Sequence, residues 1–451
     1  MTQIEAFEMM KMGRNVFLTG AAGCGKTFLM NRYIEYLKAH HVDVAVTAST
    51  GIAATHLNGR TIHSWCGMGI DDRLSDDQIE ALKEKEHLYR RIRYAKVLII
   101  DEISMLNANR LDLADRICKA FRQDMRPFGG MQVIVCGDFF QLPPVKARAG
   151  DDGRLVTESM IWHSMYLNVC YLEEQHRQED QRFLKVLGDI RGDTVTEETH
   201  AILGQRLHAS TRWQVRPTKL YTHNAEVNAE NISELGKLRG GTTVFEMQSE
   251  GVPHLIDNMK DGCLASAYLE LKVGAVVMFV KNNYSKGYVN GTLGMVTHFE
   301  EESGYPVVET LSGDRIVAHP EEWTIEDGTK VLASLRQVPL RLAWAITIHK
   351  SQGMSLDCAE MDLSKTFEYG MGYVALSRVR SLDGMKLTGL NPMALMVNKE
   401  VSVLDEILRN KSQEHLAEFL EIEAVERKKQ QKDFLRRNKE GVIMEGLFEV
   451  R

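Results

Sequence analysis

Seven consecutive residues, TIHKSQG from Thr347 to Gly353, bring together two hydroxyls, an imidazole, an amine and an amide. Taken alone, they fit a serine nucleophile, Ser351, with His349 and Lys350 as candidate bases. A hydrolase serine commonly lies in a G-x-S-x-G turn, which this segment lacks. The same polar groups would also suit a loop that contacts phosphate oxygens, so the other motifs must distinguish the two chemistries.

A second group of residues has the spacing G-x-x-x-x-G-K-[ST] and connects an apolar run to a segment with helical periodicity. Glycines let backbone N–H groups face phosphate oxygens at the start of the helix. Lys26 would reach the β and γ phosphates, and Thr27 would coordinate Mg²⁺. The pattern predicts a site for a nucleoside triphosphate, made by Gly20, Ala22, Gly23, Cys24, Gly25, Lys26, Thr27 and Phe28.

Two further apolar runs end in polar residues that this site would use. KVLIIDEISM ends in Asp101, which would hold Mg²⁺, and Glu102, which would orient or deprotonate the attacking water. MQVIVCGDFFQLPPV ends in Gln141, whose amide could sense the γ-phosphate. No N-K-x-D guanine motif occurs in the sequence, so ATP is favoured over GTP. These runs predict an α/β domain with its strand tips at one crevice and an ATP-hydrolysing site there.

The order of the motifs resembles that of superfamily 1B helicases, and within them the petite integration frequency (Pif) family, which is related to RecD-like enzymes. The segment LNANRLDLADRICKAFRQDMRPFGGMQ is similar to the one that sets the Pif family apart. The resemblance spans most of the chain and rests on nine segments: TQIEAF, GAAGCGKT, TASTGIAA, GRTIHSW, LIIDEISM, GDFFQLPPV, EQHRQ, TIHKSQGMSLD and YVALSRVRS.

This resemblance implies an ATP-driven helicase that moves 5′-to-3′ on single-stranded DNA and separates duplex or forked DNA. Members of the family also act on G-quadruplexes and RNA–DNA hybrids. By the same resemblance, Gln3 would read the adenine edge, and Arg177 and Arg378 would be arginine fingers that reach the γ-phosphate from the second domain. Gln352 and Gly353 would approach the same phosphate.

The resemblance also makes residues 347–353 a coupling loop between ATP and DNA, in which Lys350 faces either a DNA phosphate or an internal carboxylate. Hydroxyl, amide and imidazole groups at strand tips would grip the DNA, with Phe140 and Trp65 as base-stacking side chains. For Trp65 a core position, for His63 an interior imidazole and for Asn224 a helix cap remain alternatives. The predicted DNA-binding residues are Ser49, Thr50, Thr61, His63, Phe140, Asn224, Thr347, His349, Lys350 and Ser351.

Composition and charge leave the choice of partner open. The 451 residues are 44% hydrophobic and 26% charged, which fits a globular protein of two or three domains. A net charge of −7 means that any site for a polyanion must be a local groove. The seven cysteines form no CxxC pair, and neither a signal peptide nor a membrane-spanning apolar run is evident. We expect a cytoplasmic protein that is monomeric in solution and does not contact a membrane.

The expected architecture is α/β, with two RecA-like P-loop domains, two insertions and a helical end. A solvated surface helix is an alternative for the first insertion, the strand-separating wedge. Glycine turns between short strands mark the second insertion, an SH3-like β-barrel. The predicted boundaries are 1–170 for the first domain with a wedge at about 67–94, 171–271 and 339–392 for the second domain, 272–338 for the barrel, and 393–451 for the helical segment.

Two other functions remain open at this point. One is a nucleotide-gated DNA-binding switch that does not translocate, against which the presence of Glu102, Arg177 and Arg378 argues. The other is the motor subunit of a RecD-like recombination complex, against which the Pif-type segment argues. ATP hydrolysis measured with and without single-stranded DNA separates a motor from a switch.

Overall fold

A computed structural model describes most of the chain. The chain forms two compact units: unit 1 is Met1–Gly204, Phe367–Leu382 and Pro392–Arg451, and unit 2 is Gln205–Thr366 and Asp383–Asn391. The described residues are 1–57, 59–69, 72–144, 154–175, 178, 180–211, 213, 217–281, 283–288, 290–310, 313–327 and 330–445.

Helices and strands alternate through most of the chain, and two long helices follow the last strand. Among the described residues, every helix is too short or too polar to cross a lipid bilayer. The helices are α1 Gln3–Lys11, α2 Lys26–Ala39, α3 Gly51–His56, α4 Ile62–Cys66, α5 Asp76–Lys83, α6 Glu86–Tyr94, α7 Ala108–Arg122, α8 Met160–Ser164, α9 Gln181–Arg191, α10 Glu197–Gly204, α11 Asn224–Lys237, α12 Pro253–Gly262, α13 Met371–Leu376, α14 Lys399–Glu421 and α15 Ala424–Glu445. The strands are β1 Val16–Gly20, β2 Val44–Ala48, β3 Arg60–Thr61, β4 Val97–Asp101, β5 Gln132–Cys136, β6 Asn168–Leu172, β7 Thr218–Tyr221, β8 Thr243–Glu246, β9 Gln248–Gly251, β10 Tyr268–Leu271, β11 Val276–Phe279, β12 Leu293–Phe299, β13 Pro306–Thr310, β14 Arg315–Val317, β15 Glu321–Asp327, β16 Lys330–Gln337, β17 Leu340–Leu342, β18 Ala345–Thr347, β19 Ala359–Leu363 and β20 Met385–Leu390.

Unit 1 is built on a six-stranded parallel sheet with the strand order β3-β2-β4-β5-β1-β6. Strands β1, β4 and β5 are buried along their whole length, which explains their nearly continuous apolar sequences. Because parallel strands point the same way, the loops that follow β1, β2, β4 and β5 lie at one edge of the sheet. This edge holds the motifs from which the sequence predicts an ATP site.

The two C-terminal helices belong to the core of unit 1. Phe419 of α14 and Phe434 of α15 are buried in the same cluster as Met9 of α1, Tyr33 of α2 and Leu18 of β1. Helices α14 and α15 confirm the predicted helical C-terminal segment. Their packing explains why residues after Pro392 fold with the N-terminal part of the chain.

The predicted wedge segment consists of two short helices. Helix α5 starts with a capping box formed by Ser75 and Gln78, and its Ile79 is buried. Leu88 and Ile92 form the buried face of α6. The polar pattern therefore belongs to amphipathic helices, and a role of these helices in strand separation stays a prediction.

Unit 2 combines a small parallel sheet with antiparallel strands. The parallel sheet has the order β18-β7-β19-β20, and a five-stranded antiparallel sheet has the order β14-β13-β12-β11-β17. The antiparallel strands lie where the sequence predicts the barrel insertion. With a parallel sheet in each unit, the structure confirms the α/β fold class.

One predicted segment groups differently from the expected arrangement. Residues 367–382, which include α13 and the motif YVALSRVRS, were expected to close the second RecA-like domain, but they belong to unit 1. The physical reason is a buried contact, since the Tyr373 hydroxyl accepts a hydrogen bond from Ala22 N at 3.0 Å. The domain boundaries themselves stay a prediction.

A buried arginine connects five parts of unit 1. Arg191, the last residue of α9, donates from Nη1 to both Asp138 carboxylate oxygens at 2.7 and 2.8 Å. Its Nη2 donates to the Tyr171 hydroxyl of β6 at 2.9 Å and to Asp405 of α14 at 3.0 Å. Its Nη1 also lies 3.4 Å from the Tyr373 hydroxyl of α13. We call these five side chains the Arg191 cluster.

Replacing Arg191 by alanine should strongly destabilise unit 1, because Asp138 is fully buried and would lose its counter-charge. Removal of one partner from a buried ion pair typically costs about 3–5 kcal/mol. Urea unfolding followed by circular dichroism would measure the loss. Arg90→Ala is the matched control, because Arg90 forms an exposed pair with Glu86 and its removal should cost less than about 0.5 kcal/mol. Equal losses in the two variants would contradict the assigned role of Arg191.

Candidate functional site

The loop between β1 and α2 has the backbone conformation of a phosphate-binding loop. Gly20, Gly23 and Gly25 have φ angles of 141°, 86° and 85°, which favour glycine. A Cβ atom at Gly20 would lie 2.5 Å from the Leu172 carbonyl oxygen, so no side chain fits there. The predicted glycine positions are therefore the positions at which the backbone requires glycine.

Lys26 lies inside the same loop. Its Nζ donates to the carbonyl oxygens of Gly20 at 2.8 Å and Ala21 at 3.0 Å. Burial lowers the pKa of Lys26, but nearby Cys24 and Asp138 raise it, and the net pKa lies above its ordinary value. The ammonium group is therefore charged at physiological pH and is held beside the backbone that would surround a phosphate.

Three other predicted nucleotide contacts lie next to this loop. The Gln3 side chain donates from Nε2 to the Cys24 carbonyl oxygen at 3.2 Å, which brings the first helix to the loop. Thr27 and Phe28 follow Lys26 on α2 and are exposed, Phe28 by 65%. An amide and an exposed aromatic ring beside the loop suit the adenine base, while the Thr27 hydroxyl is accessible to a cation.

Asp101 and Glu102 lie at the end of β4, at the same edge of the sheet. Burial and the neighbouring Glu102 raise the pKa of Asp101 to about 7. Glu102 has φ 49° and ψ 46°, the left-handed region that non-glycine residues seldom adopt. Its carbonyl accepts a hydrogen bond from the Ser49 hydroxyl at 2.7 Å, and its N–H donates to Asp101 Oδ1 at 2.8 Å. Backbone strain of this kind is common where a side chain must be aimed at a substrate.

The residues present fit Mg²⁺. The neighbouring Glu102 raises the pKa of Asp101, and a nearby cation would offset this repulsion between carboxylates. Carboxylate and hydroxyl oxygens are the ligands that Mg²⁺ prefers. Asp101 and Thr27 supply those oxygens. Within the described ranges no three His, Cys, Asp or Glu side chains form a metal cluster. Nucleotide-bound Mg²⁺ uses one or two protein ligands plus phosphates, so such a cluster is not needed.

Gln141 lies close to the Arg191 cluster rather than in open solvent. It is buried, and its Nε2 lies 3.4 Å from Asp138 Oδ2. Phe140 is only 4% exposed, and the Arg191 guanidinium lies 4.2 Å from its ring centroid. The Phe140 ring is buried because it covers a buried cation. Its role as a base-stacking side chain stays a prediction.

Helix α13 brings Tyr373 to the phosphate-binding loop, which the sequence did not predict. Gly370, at the start of the helix with φ 80°, lets the chain pass close to the Phe140 and Gln141 carbonyls, 2.5 and 2.6 Å from where a Cβ atom would lie. The Tyr373 hydroxyl then accepts the Ala22 N–H. The sequence feature that could have indicated this contact is the tyrosine in YVALSRVRS, because a buried tyrosine hydroxyl needs a hydrogen-bond partner.

Of the two predicted arginine fingers, the structure describes Arg378, which belongs to unit 1. Arg177 lies outside the described residues, but the next residue, Gln178, donates to the carbonyl oxygens of Ser377 and Val379 at 3.4 and 3.3 Å. Arg378 lies between these two residues. It is 2% exposed, and its guanidinium donates to Val374 O and Ser377 Oγ, both at 2.8 Å. Action of Arg378 on a phosphate would require its side chain to leave these partners.

The predicted DNA contacts in unit 1 are mostly part of the protein's own packing. Ser49 is buried and bonded to Glu102, and Trp65 is buried, so the core alternative holds for Trp65. Thr61 caps α4 by accepting the Ser64 N–H at 3.2 Å, and Thr50 accepts the Ala53 N–H at 3.3 Å. Thr50 and Thr61 are partly exposed and keep an oxygen near the surface.

His63 has a distinct environment within that group. Burial, and then nearby Arg110, lower its pKa to about 4, so the imidazole is neutral at physiological pH. Its Nε2 is buried and has no hydrogen-bond partner among the described residues. His63 therefore carries no positive charge for a phosphate, and a DNA contact of His63 stays a prediction.

The coupling loop lies in unit 2, after β18. Thr347 and Ser351 are buried, and the Ser351 hydroxyl donates to Ile348 O at 2.7 Å. A tight turn uses its own hydroxyls to bond its backbone, so Ser351 is not an accessible nucleophile. DNA contacts of the Thr347 and Ser351 hydroxyls stay a prediction. His349 is half-buried, and burial lowers its pKa.

Lys350 differs from its neighbours in the loop. Its Nζ donates to Asn224 Oδ1, the first residue of α11, at 3.4 Å. Within the part of the chain that the structure describes, no carboxylate pairs with Lys350, which favours a DNA phosphate over an internal carboxylate. Gln352 is buried, and Gly353 has φ 80°. Approach of Gln352 and Gly353 to the γ-phosphate stays a prediction.

The sequence is similar to known proteins over most of its length. Residues 1–200 match the family model described as PIF1-like helicase, and residues 254–299 match the one described as DNA helicase Pif1, 2B domain. The chain is 43% identical to the ATP-dependent DNA helicase Pif1 of Psychrobacter sp. over 94% of this chain and 73% of that protein. It is 39% identical to the ATP-dependent DNA helicase PIF1 of Danio rerio, of which it spans 62%.

The fold is also similar to that of solved structures. The crystal structure of Pif1 helicase from Candida albicans has a TM-score of 0.83 at 34% identity, with 90% of this chain and 98% of that chain covered. The structure of Pif1 helicase from Bacteroides in complex with ADP-AlF3 and single-stranded DNA has a TM-score of 0.74 at 31% identity, with 92% and 97% covered.

Replacing Tyr373 by phenylalanine should strengthen nucleotide binding. The hydroxyl occupies the Ala22 N–H, which a phosphate oxygen would otherwise accept, and a hydrogen bond of this kind is worth about 1 kcal/mol net. We expect about fivefold tighter binding of an ATP analogue by calorimetry. Tyr33→Phe is the control, because its hydroxyl bonds Met10 and Gln132 and no residue of the loop. Unchanged or weaker binding in Tyr373→Phe alone would show that the hydroxyl does not compete with the nucleotide.

Proposed function

The chain belongs to the PIF1-like helicase family and is an ATP-dependent DNA helicase, and on that premise we propose that it moves 5′-to-3′ along single-stranded DNA. The observation that carries the proposal is that the glycine loop, Lys26 and the Asp101–Glu102 pair lie at one edge of a parallel sheet. This arrangement binds and hydrolyses a nucleotide. Coupling to DNA then requires a second site, for which Lys350 and His349 are the leading residues.

In the ATP reaction each group of unit 1 has a separate role. The backbone of the loop and Lys26 hold the phosphates, and Gln3 and Phe28 hold the base. Glu102 orients the attacking water and accepts its proton, and Gln141 reports the state of the γ-phosphate. Asp101 and Thr27 would hold Mg²⁺, which neutralises phosphate charge when it is bound. Arg177 and Arg378 complete the set as arginine fingers.

Polar groups for DNA occur in each unit taken by itself. Within the predicted set, the exposed or partly exposed residues are Thr50, Thr61 and His63 in unit 1, and Asn224, His349 and Lys350 in unit 2. These groups suit the phosphate backbone more than base edges, so binding should be strong in low salt and weak in sequence preference. Forked DNA, G-quadruplexes and RNA–DNA hybrids are proposed substrates. A monomeric state and a cytoplasmic location stay predictions from the sequence.

Strand displacement tests the function and its direction. A duplex with a 5′ single-stranded tail should be unwound with ATP, while a duplex with a 3′ tail should not. Lys26→Ala should abolish both hydrolysis and unwinding, because the lysine contacts the phosphates, yet it should leave DNA binding measurable. Normal hydrolysis in Lys26→Ala would refute the ATP site. Hydrolysis by the parent protein that single-stranded DNA does not stimulate would indicate a nucleotide-gated switch instead of a motor.

The pH dependence of DNA binding tests Lys350. Burial, and then nearby Arg341, lower its pKa to about 8, so the amine is charged below pH 8 and becomes neutral above it. Because DNA binds the charged form, affinity for oligo(dT) should fall as pH rises from 7 to 9. Lys350→Arg should keep its affinity across this range, since arginine stays protonated. An equal fall in both proteins, measured by fluorescence anisotropy, would assign the pH effect to another group.

A further inference from the structure

Unit 2 contains a cavity of about 540 Å³ that the predicted DNA-binding residues do not line. Asn228 and Ile232 line it from α11, Tyr268 from β10 and Arg341 from β17. The cavity thus combines an amide, an aliphatic side chain, an aromatic ring and a guanidinium. This mixture differs from the apolar lining expected for a packing defect.

Arg341 is the unusual member of the cavity. Arg341 is partly buried, which lowers its pKa. Its Nε is buried without a hydrogen-bond partner among the described residues, and no described carboxylate forms an ion pair with it. Arginine does not lose its proton in proteins, and a partly buried cation without a counter-charge is unfavourable. A bound anion would supply the missing partner.

A second cation lies close enough to Arg341 to interact with it. Arg341 is the charged neighbour that lowers the pKa of Lys350, in addition to burial. Lys350 bonds Asn224, and Asn228, which lines the cavity, lies one turn further along the same face of α11. Both asparagines are exposed. Cationic and amide groups therefore extend from the coupling loop to the cavity.

The cavity also has exposed apolar side chains against which bases can stack or pack. Tyr268 is 70% exposed and Ile232 is 67% exposed, although both are large apolar side chains. Proteins that bind single-stranded DNA combine cations for the phosphates with exposed aromatic rings on which bases stack. Glu270 also lines the cavity, but it is exposed, so water and salt screen its charge.

We propose that this cavity is a further subsite for single-stranded DNA, in which Arg341 binds a phosphate and Tyr268 stacks on a base. The inference rests on the proposed function, because the subsite continues the DNA path from Lys350 and Asn224. A base can stack on Tyr268 only when it is unpaired, so the subsite selects a single strand over a duplex. Contacts of this type carry little sequence preference.

Salt titration of DNA binding tests the phosphate contact. The affinity of the whole chain for labelled oligo(dT) would be measured by fluorescence anisotropy at several salt concentrations. For single strands, each phosphate contact contributes about 0.7 to the slope of log affinity against log salt concentration. Arg341→Gln should reduce the slope by about that amount and weaken binding, and Arg341→Lys should retain most of the slope. A slope equal to that of the parent protein would overturn the proposal.

Two further variants of this chain make the test specific. Arg315→Gln is the matched control, because it removes the same charge from unit 2 at an exposed residue that pairs with Glu309. Its slope should equal that of the parent, whereas a reduction as large as in Arg341→Gln would indicate a net-charge effect and refute the subsite. Tyr268→Trp places a fluorescent ring in the cavity. Its emission should be quenched by oligo(dT) and not by a blunt duplex, and quenching by the duplex alone would also refute the subsite.

Failure of this inference can be told apart from failure of the proposed function. If single-stranded DNA stimulates ATP hydrolysis by the parent protein but Arg341→Gln keeps the parental slope, only the subsite is wrong. If single-stranded DNA neither binds nor stimulates hydrolysis in the parent, the proposed function is wrong, and the subsite with it. The Tyr268→Trp measurement does not depend on the folding of an Arg341 variant, because residue 268 is on the surface.

Discussion

The need to neutralise the buried guanidinium of Arg191 is the constraint on which unit 1 depends. A charge in a protein interior is tolerated only when it is paired and hydrogen-bonded. Asp138 and Asp405 supply the opposite charge, and Tyr171 and Tyr373 supply hydroxyls. These partners come from separate segments, so the ion pair forms only when the sheet, α13 and α14 are all in place. Neutralisation of one charge therefore explains why late segments of the chain fold with its beginning.

The same cluster reaches the nucleotide site through two of its members. Tyr373 bonds the Ala22 N–H of the phosphate-binding loop, and Asp138 lies beside Gln141. A phosphate oxygen would compete with the tyrosine hydroxyl for one N–H group. Because Tyr373 is bonded to Arg191, such competition changes an interaction within the core of unit 1. Packing and nucleotide sensing thus use the same side chains. A nucleotide that displaced the Tyr373 hydroxyl would act directly on α13, and Arg378 follows this helix in the chain.

The sequence predicted features that depend on residues close together in the chain better than features that depend on distant residues. The glycine loop, the Asp101–Glu102 pair and the buried strands follow from spacing and apolar runs, and the structure has them in those places. Polarity and aromaticity did not predict that Phe140 and Ser351 are buried, because neither property tells which way a side chain faces. The partners of Tyr373 and Arg191 lie 351 and 53 residues away, at Ala22 and Asp138, and such pairs leave no pattern in a single sequence.

A comparison of two arginines shows how structural and ligand-binding roles can be separated. Arg191 is buried and Arg341 is partly buried. Two carboxylates neutralise Arg191, whereas the described residues leave Arg341 without a counter-charge. In the first arrangement, carboxylates of the protein itself offset the free-energy cost of burying the guanidinium. The second would be complete only with an external anion, and Arg341 lies in the same unit as Lys350 and the coupling loop. Burial alone therefore does not identify a core residue. An arginine that is paired with carboxylates stabilises the fold, whereas an arginine without a counter-charge can bind a phosphate.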